Sequence, residues 1–380
     1  MKRAILAMIA LTLFGMAVPA PAAAQFAGWT PANLLVLKRW AAMAPMDALP
    51  QPSTAALEKA QAGGDSAAIA KAADDVALRL ARMHLLGCAT AAERKGWNIE
   101  DTDKSIDLPG LLQSSLQAGT LDAFYASLRP RDPEYAALQT AFGKATDEAT
   151  RSAIGRNMER WRWMPRSLGD DHVLVNAAAF EAGLWRGGNK VGTWKVIVGK
   201  TKTPTPVFNT TITGVNLNPW WEIPASIVRE SVGALVRRSP STARARGYVW
   251  EGGRYRQKPG PNNALGQMKL VMPNRYSVYM HDTPNKDLFE REVRAFSHGC
   301  IRTGDAIGYA ATLLEGVKTR PEVDAIVASG QSTIIDLAHP VPIYIAYFTA
   351  VSDGQGGVKL LNDVYGRDKR FTPSQSGCGG

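Results

Sequence analysis

Cys300, His298 and His281 are the residues of this chain whose types and spacing could do nucleophilic chemistry. The chain holds three cysteines and five histidines, and these three fall together in the stretch SVYMHDTPNKDLFEREVRAFSHGCIRTGD, residues 277–305. A thiol attacks a carbonyl as its thiolate, and a free cysteine ionises only near pH ~8.5. A histidine in contact can take that proton and leave a thiolate–imidazolium pair. His298 stands two residues before the thiol. His281 ends the apparent strand YSVYM, a rigid place from which to aim an imidazole. Gly299 lets the backbone come close to a ligand, so amides near Cys300 could stabilise an oxyanion. Arg302 adds positive charge beside the thiol, which favours thiolate and could hold a carboxylate.

The same three side chains admit two other readings. They could be three zinc ligands, although a closed structural site needs a fourth, and His84, His172 and His339 are scattered. They could also be a buried, inert cysteine with two hydrogen-bonded histidines, since cysteine is often buried.

The elements around them change character along the chain. From Asn33 to about Arg156, apolar residues recur at three- and four-residue steps and alanine is abundant, which predicts helices. Gly63-Gly64, Pro109-Gly110 and Pro130 to Pro133 punctuate them. After RWRWMPRSLGDD the pattern alternates. HVLVNAAAFEAGLWRGGNKVGTWKVIVG reads as hairpins, and PTPVFNTTITGVNLNPWW continues the strands. IPASIVRESVGALVRR is helical. SPSTARARGYVWEGGRYRQKPGPNNALG is rich in Gly, Pro and Arg and predicts a long loop or lid. QMKLVMPNRYSVYMH gives two more strands, two helices follow, and VPIYIAYFTAVSD is a late strand. The fold class expected is α+β: an all-α N-terminal scaffold followed by a mostly-β domain with a lid insert.

Composition fits an ordered globular protein, with 45% hydrophobic and 21% charged residues, and excludes a disordered one. MKR, then AILAMIALTLFGMAV, then PAPAAAQ is the order of a secretory signal, with cleavage expected after Ala24. No later stretch approaches the roughly 18 apolar residues of a membrane span. The protein is therefore expected outside the cytoplasm, in the periplasm. An odd number of cysteines there leaves at least one thiol free or paired with another molecule. Cys88, in a helical pattern, and Cys378, in SGCGG, could pair or could be unrelated. Formal net charge is +10. A basic surface attracts polyanions. Export argues against nucleic acid, and an envelope polymer bearing carboxylates fits better.

SHGCIRTGDA resembles the signature of the YkuD-type L,D-transpeptidases, in which a cysteine within S/T-H-G-C-x-R performs acyl transfer on peptidoglycan stem peptides. VYMHDTP matches the upstream element that carries the family's second histidine. GTWKVIVGKTKTPTPVFNTTITGVNLNPWWEIPASI is similar to its catalytic strands, and RWRWMPR to the linker entering that domain in large Gram-negative members. Those members carry a helical scaffold and a capping insert. The resemblance is strong over about residues 155–350 and covers 30–155 only as a helical scaffold. The FQ…GL…DG pattern of the small peptidoglycan-binding module is missing before Trp161.

The resemblance implies a division into a signal peptide (1–24), scaffold (25–160), catalytic domain (161–350) with a cap at about 226–265, and a C-terminal tail (351–380). It makes Cys300 the nucleophile and His281 its base, with the backbone carbonyl of Asp282 orienting the imidazole. His298 is expected near the thiol, and amides around Gly299 and Cys300 form the oxyanion hole. Tyr279, on the same strand face as His281, is expected to donate to the oxyanion. Ser297 is expected to bind substrate, and Arg302 either to bind a stem-peptide carboxylate or to be structural. Cys300 would attack a tetrapeptide stem at the L-centre of diaminopimelate and expel D-alanine. A side-chain amine of a second stem would then resolve the acyl-enzyme. No cofactor or metal is needed, and carbapenems are expected to acylate the thiol. Water as acceptor would make the protein an L,D-carboxypeptidase or endopeptidase, and a protein amine would make it an attachment enzyme. A non-catalytic wall-binding protein on this fold is argued against by the intact Cys300 and His281.

Overall fold

The computed structural model describes residues 28–370 and Cys378, so the expected signal lies outside the described residues. Seven helices open it: α1 (Pro31–Met43), α2 (Ala55–Gly63), α3 (Ser66–Leu86), α4 (Leu108–Ala118), α5 (Leu121–Ser127), α6 (Pro133–Lys144) and α7 (Glu148–Trp161). Thr30, Asp65, Asp107, Asp132 and Asp147 cap helix N-termini by accepting from backbone amides that have no intrahelical partner. α1 to α5 close around Leu37, Leu57, Leu80, Leu112, Tyr125 and Leu128.

α6 and α7 serve a different core. Tyr135, Leu138, Phe142, Ile154, Met158 and Trp161 pack with the strands that follow. Helical periodicity marks an apolar stripe but not the surface it covers. The first core therefore ends at Leu128, ahead of residue 160.

The strands are β1 (Trp97–Asn98), β2 (His172–Asn176), β3 (Glu181–Arg186), β4 (Asn189–Gly199) and β5 (Val207–Leu217), then, past the cap, β9 (Met268–Val271), β10 (Met280–His281), β11 (Ala295–Ser297), β12 (Ile301–Thr303) and β13 (Thr333–Ala346). They run in the order β5-β13-β2-β3-β4-β12-β10-β9, and β9 pairs back onto β5. The sheet thus curls until its ends meet, which leaves few unpaired edges. Val173, Val175, Leu184, Val196, Val198, Ile212 and Ile343 fill its inside. α11 (Ala306–Leu313) and α12 (Arg320–Ser329) add to the same core through Tyr309, Leu313 and Val323.

The insert is more ordered than a long loop. It comprises β6 (Trp221–Glu222), α8 (Ala225–Ile227), a wide turn of helix over Val228–Val232, α9 (Gly233–Arg238), α10 (Pro240–Ala245), β7 (Tyr248–Glu251) and β8 (Arg254–Gln257). β7 and β8 form a hairpin that pairs with β6. Its turn is Gly252-Gly253, with φ of 59° and 76°. Two consecutive left-handed residues are what a tight two-residue hairpin needs, and glycine supplies them without strain. The EGGR signal was present in a stretch whose Gly, Pro and Arg content reads as loop.

A buried polar network joins the two cores. The Asp47 carboxylate accepts from Arg129 at 2.6 Å, Tyr135 Oη at 3.2 Å and Gln139 Nε2. Arg162, fully buried, donates to the Asp47 carbonyl, to Tyr135 Oη and to Glu159. Glu159 in turn accepts from the amides of Cys88 and Ala89 and from Trp163 Nε1. Gly87, at φ +73°, passes so close to the Glu159 carboxylate that a Cβ would lie 2.2 Å from it. Cys88 and Cys378 form a disulfide, with Cα atoms 4.8 Å apart.

Candidate active site

Side-chain alternation places the chemistry on one face. Met280 and Ile301 are fully buried in the core. Their chain neighbours Tyr279, His281, Cys300 and Arg302 therefore project to the other side. β10 and β12 run parallel, with Met280 opposite Ile301 and His281 opposite Arg302. Ile301 N donates to the Tyr279 carbonyl at 2.9 Å, which fixes the start of β12 beside β10. On its other side His281 stands opposite Lys269 of β9, and Lys269 opposite Asn216 of β5. A polar row, Asn216–Lys269–His281–Arg302, crosses four strands.

His281 is buried, and its Nδ1 is held by the carbonyl of Asp282. A carbonyl only accepts, so Nδ1 carries the proton and Nε2 is left as the basic nitrogen. The imidazole's pKa is pushed down to about 4, first by burial and then by the Arg302 charge, with the Asp282 contact opposing. Asp282 is itself locked. Its carboxylate accepts Gln267 N at 2.9 Å and pairs with Lys286, and its amide donates to Met268 O at 2.8 Å. Gly266, at φ +61°, gives the carboxylate room; a Cβ there would lie 2.3 Å from it.

Cys300 is half-buried. Burial pushes its thiol up, while the Tyr279 amide, Lys269 and Arg302 pull the other way. Burial works against the charged form of each group, raising the thiol and lowering the imidazole.

The loop before the thiol is built from behind. Ser297, 2% exposed, accepts Gly299 N at 3.0 Å and donates to the Cys300 carbonyl. Both contacts lie within its own loop. The Gly299 amide is thereby occupied, so the oxyanion donor left in this loop is the Cys300 amide. Gly299 adopts φ +116°, a region that favours glycine. Its carbonyl accepts Thr205 Oγ1 at 2.8 Å, and Thr205 Oγ1 accepts Gly199 N at 2.9 Å. Tyr365 Oη donates to Gly199 O at 2.6 Å, and Arg367 donates to Thr205 O at 3.1 Å. The C-terminal segment thus buttresses the thiol loop, a part that composition gave no reason to expect.

His298 faces the cap. Its Nε2 donates to Glu230 at 2.9 Å, and Lys200 Nζ lies 3.7 Å from the same carboxylate. The Tyr279 ring carries Lys269 Nζ 3.9 Å from its centroid. Lys269 was not singled out from sequence; its strand partner, His281, was the only signal for it. Among the described residues no three His, Cys, Asp or Glu side chains are grouped as a metal ion requires, and no helix is long and apolar enough to cross a membrane.

Two family models match the chain: an L,D-transpeptidase catalytic domain of the YkuD family over residues 170–324, and a scaffold domain over 23–142. A curated relative, a putative L,D-transpeptidase of Haemophilus influenzae, is 29% identical over 242 residues, covering 57% of this chain and 48% of its own. The chain spans about half the length of that relative. Among solved structures, an L,D-transpeptidase from Mycobacterium smegmatis is similar at 12% identity and TM-score 0.26, over 46% of this chain and 58% of that one. An L,D-transpeptidase 3 from Mycobacterium tuberculosis with a faropenem-derived adduct gives 13% identity and TM-score 0.25, over 47% and 60%.

Proposed function

In a chain that joins a scaffold domain to a YkuD-type L,D-transpeptidase catalytic domain, we propose that Cys300 and His281 catalyse acyl transfer between peptidoglycan stem peptides. The observation that carries this reading is that the paired strands β10 and β12 bring Cys300 and His281 to one face of the sheet, with the imidazole's Nδ1 fixed on the Asp282 carbonyl. Sulfur bonds to the carbonyl carbon as the thiol proton moves to His281 Nε2. The carbonyl oxygen becomes an oxyanion facing the Cys300 amide. The carbon–nitrogen bond to the terminal D-alanine breaks, and His281 returns the proton to the leaving amine. A second stem's amine then attacks the thioester, gives a proton to His281 and frees the thiol.

The donor is a tetrapeptide stem, and the product is a diaminopimelate-to-diaminopimelate cross-link. The site of action is the cell envelope, reached by export, and carbapenems acylate Cys300. The cap's strand β6 carries Glu222, whose charge bears on Lys269. Purified disaccharide-tetrapeptide incubated with the protein tests this by mass spectrometry. A dimer lacking one D-alanine supports transfer to an amine. A tripeptide monomer alone would make water the acceptor and the protein a carboxypeptidase. Unchanged substrate, with Cys300 intact, would sink the reading.

A further inference from the structure

Lys269 is a cation held in place without an anion. It is half-buried, and burial lowers its pKa. Among the described residues no carboxylate lies within ion-pair distance of its Nζ and no acceptor within hydrogen-bond distance. The Tyr279 ring supports the ammonium at 3.9 Å and cannot neutralise it. The groups whose charge bears on it are Cys300, once ionised, and, from the cap strand β6, Glu222. Its Nζ lies on the Tyr279 ring, and its residue stands in register with the base His281. Other lysines of the site face are paired: Lys286 with Asp282, and Lys200 with Glu230. A partly desolvated cation without a counter-charge is costly unless a ligand supplies one.

We propose that Lys269 receives the C-terminal carboxylate of the donor stem peptide. This rests on the acyl-transfer reading above and adds to it the residue that recognises the donor's end. The terminal carboxylate belongs to the residue that leaves, one peptide unit beyond the attacked carbonyl. A cation beside the thiol and beneath the cap holds that carboxylate while the scissile carbonyl lies against Cys300. The contact is a charge-assisted hydrogen bond from a point donor, for which an ammonium suffices.

Two small alkylating agents test the cation without any peptide. Iodoacetate and iodoacetamide both form a carbon–sulfur bond at Cys300 with loss of iodide, and only the first carries a carboxylate. Lys269→Met should lower the iodoacetate-to-iodoacetamide rate ratio about tenfold, the worth of one charged hydrogen bond. Lys269→Arg should keep the ratio. An unchanged ratio in Lys269→Met overturns the assignment. So does a fall as large in Lys269→Arg, which would trace to shape, or a fall confined to Arg302→Met. With peptides, amidating the tetrapeptide C-terminus should raise KM about tenfold for the wild type and leave Lys269→Met indifferent. Equal discrimination by both overturns the donor assignment. If neither peptide reacts, the acyl-transfer reading fails, and the alkylation ratio still decides whether Lys269 takes a carboxylate.

Discussion

Glu230 of the cap and His298 of the thiol loop are joined by a hydrogen bond of 2.9 Å. The contact ties the insert to a residue two positions from Cys300, so it links the cap to the thiol loop. The His298 contact, ahead of the charges of His298 and Lys200, holds the Glu230 carboxyl below its usual range. A carboxyl depressed in the folded state contributes above its ordinary pKa and loses that contribution as pH falls through the folded value. The latch should hold at neutral pH and open in acid. In Glu230→Gln, hydrogen exchange over Val228–Val232 should be faster than in the wild type at pH 7, and the difference should vanish at about pH 3. Equal exchange at pH 7 would show that the cap is held elsewhere.

His281 and His298 should differ sharply in their kinetic weight. A general base contributes roughly a hundred- to ten-thousand-fold, whereas His298 touches the cap. His281→Ala should therefore slow acylation by a carbapenem far more than His298→Ala, and Cys300→Ala should abolish it with the fold intact. Because the His281 pKa is pushed down to about 4, the acid limb of kcat/KM should fall near pH 4. A limb at the ordinary histidine value would mean that the base is not buried in the working enzyme.

Thr205 offers a test of the loop that leaves every reacting group in place. Its hydroxyl donates to Gly299 O at 2.8 Å and accepts Gly199 N at 2.9 Å, with no exposure to solvent. Thr205→Val keeps the shape and leaves both groups unpaired, at about 1–3 kcal/mol each. Denaturation midpoints should fall accordingly. The rate of thiol alkylation should fall as well, because the carbonyl next to Cys300 loses its tether. A stability loss with unaltered alkylation would confine Thr205 to the fold.

The thiol inventory gives a direct check on the disulfide. With Cys88 joined to Cys378, the native protein should react with one equivalent of a thiol reagent, at Cys300. After reduction and denaturation it should react with three. Two or more reactive thiols before reduction would place the pair outside the folded molecule.

What could be read from sequence was local. SHGC and HDTP carry their meaning within a few residues, and strand alternation alone puts His281 and Tyr279 on one face. The α+β order follows from periodicity, which changes character after Trp163. What could not be read depends on chain segments far apart. Lys269 matters because β9 lies against β10, and no spacing in sequence encodes that register. Glu230 meets His298 across 68 residues, and Tyr365 reaches Gly199 across 166. α6 and α7 have the same stripe as the scaffold helices but cover the sheet, since a stripe does not name its partner. Ser297 shows the same limit at short range: both of its hydrogen bonds close its own loop, a geometry the motif does not spell out.

His84 should set part of the acid sensitivity of the scaffold. The ring is fully buried, edge-on to Trp40 at 5.4 Å, with no hydrogen bond to either nitrogen. Tyr125 packs beside it, and the charged groups facing it are Asp47, Arg162 and Arg129. Burial is the main cause that drives its pKa down to about 3; Asp47 opposes, and the two arginines reinforce. In the unfolded chain the ring takes a proton near pH ~6.5. Between these values the unfolded state binds more protons than the folded one, so stability falls as pH falls. At pH 5 the loss attributable to this one ring is about 2 kcal/mol. His84→Phe keeps an aromatic ring between Trp40 and Tyr125 and cannot bind a proton. Urea denaturation at pH 7.5 and pH 5 should therefore show a smaller drop in the variant than in the wild type. An equal drop in both would mean that the ring is solvated or already paired, and the acid sensitivity would then lie with other groups, His281 first among them.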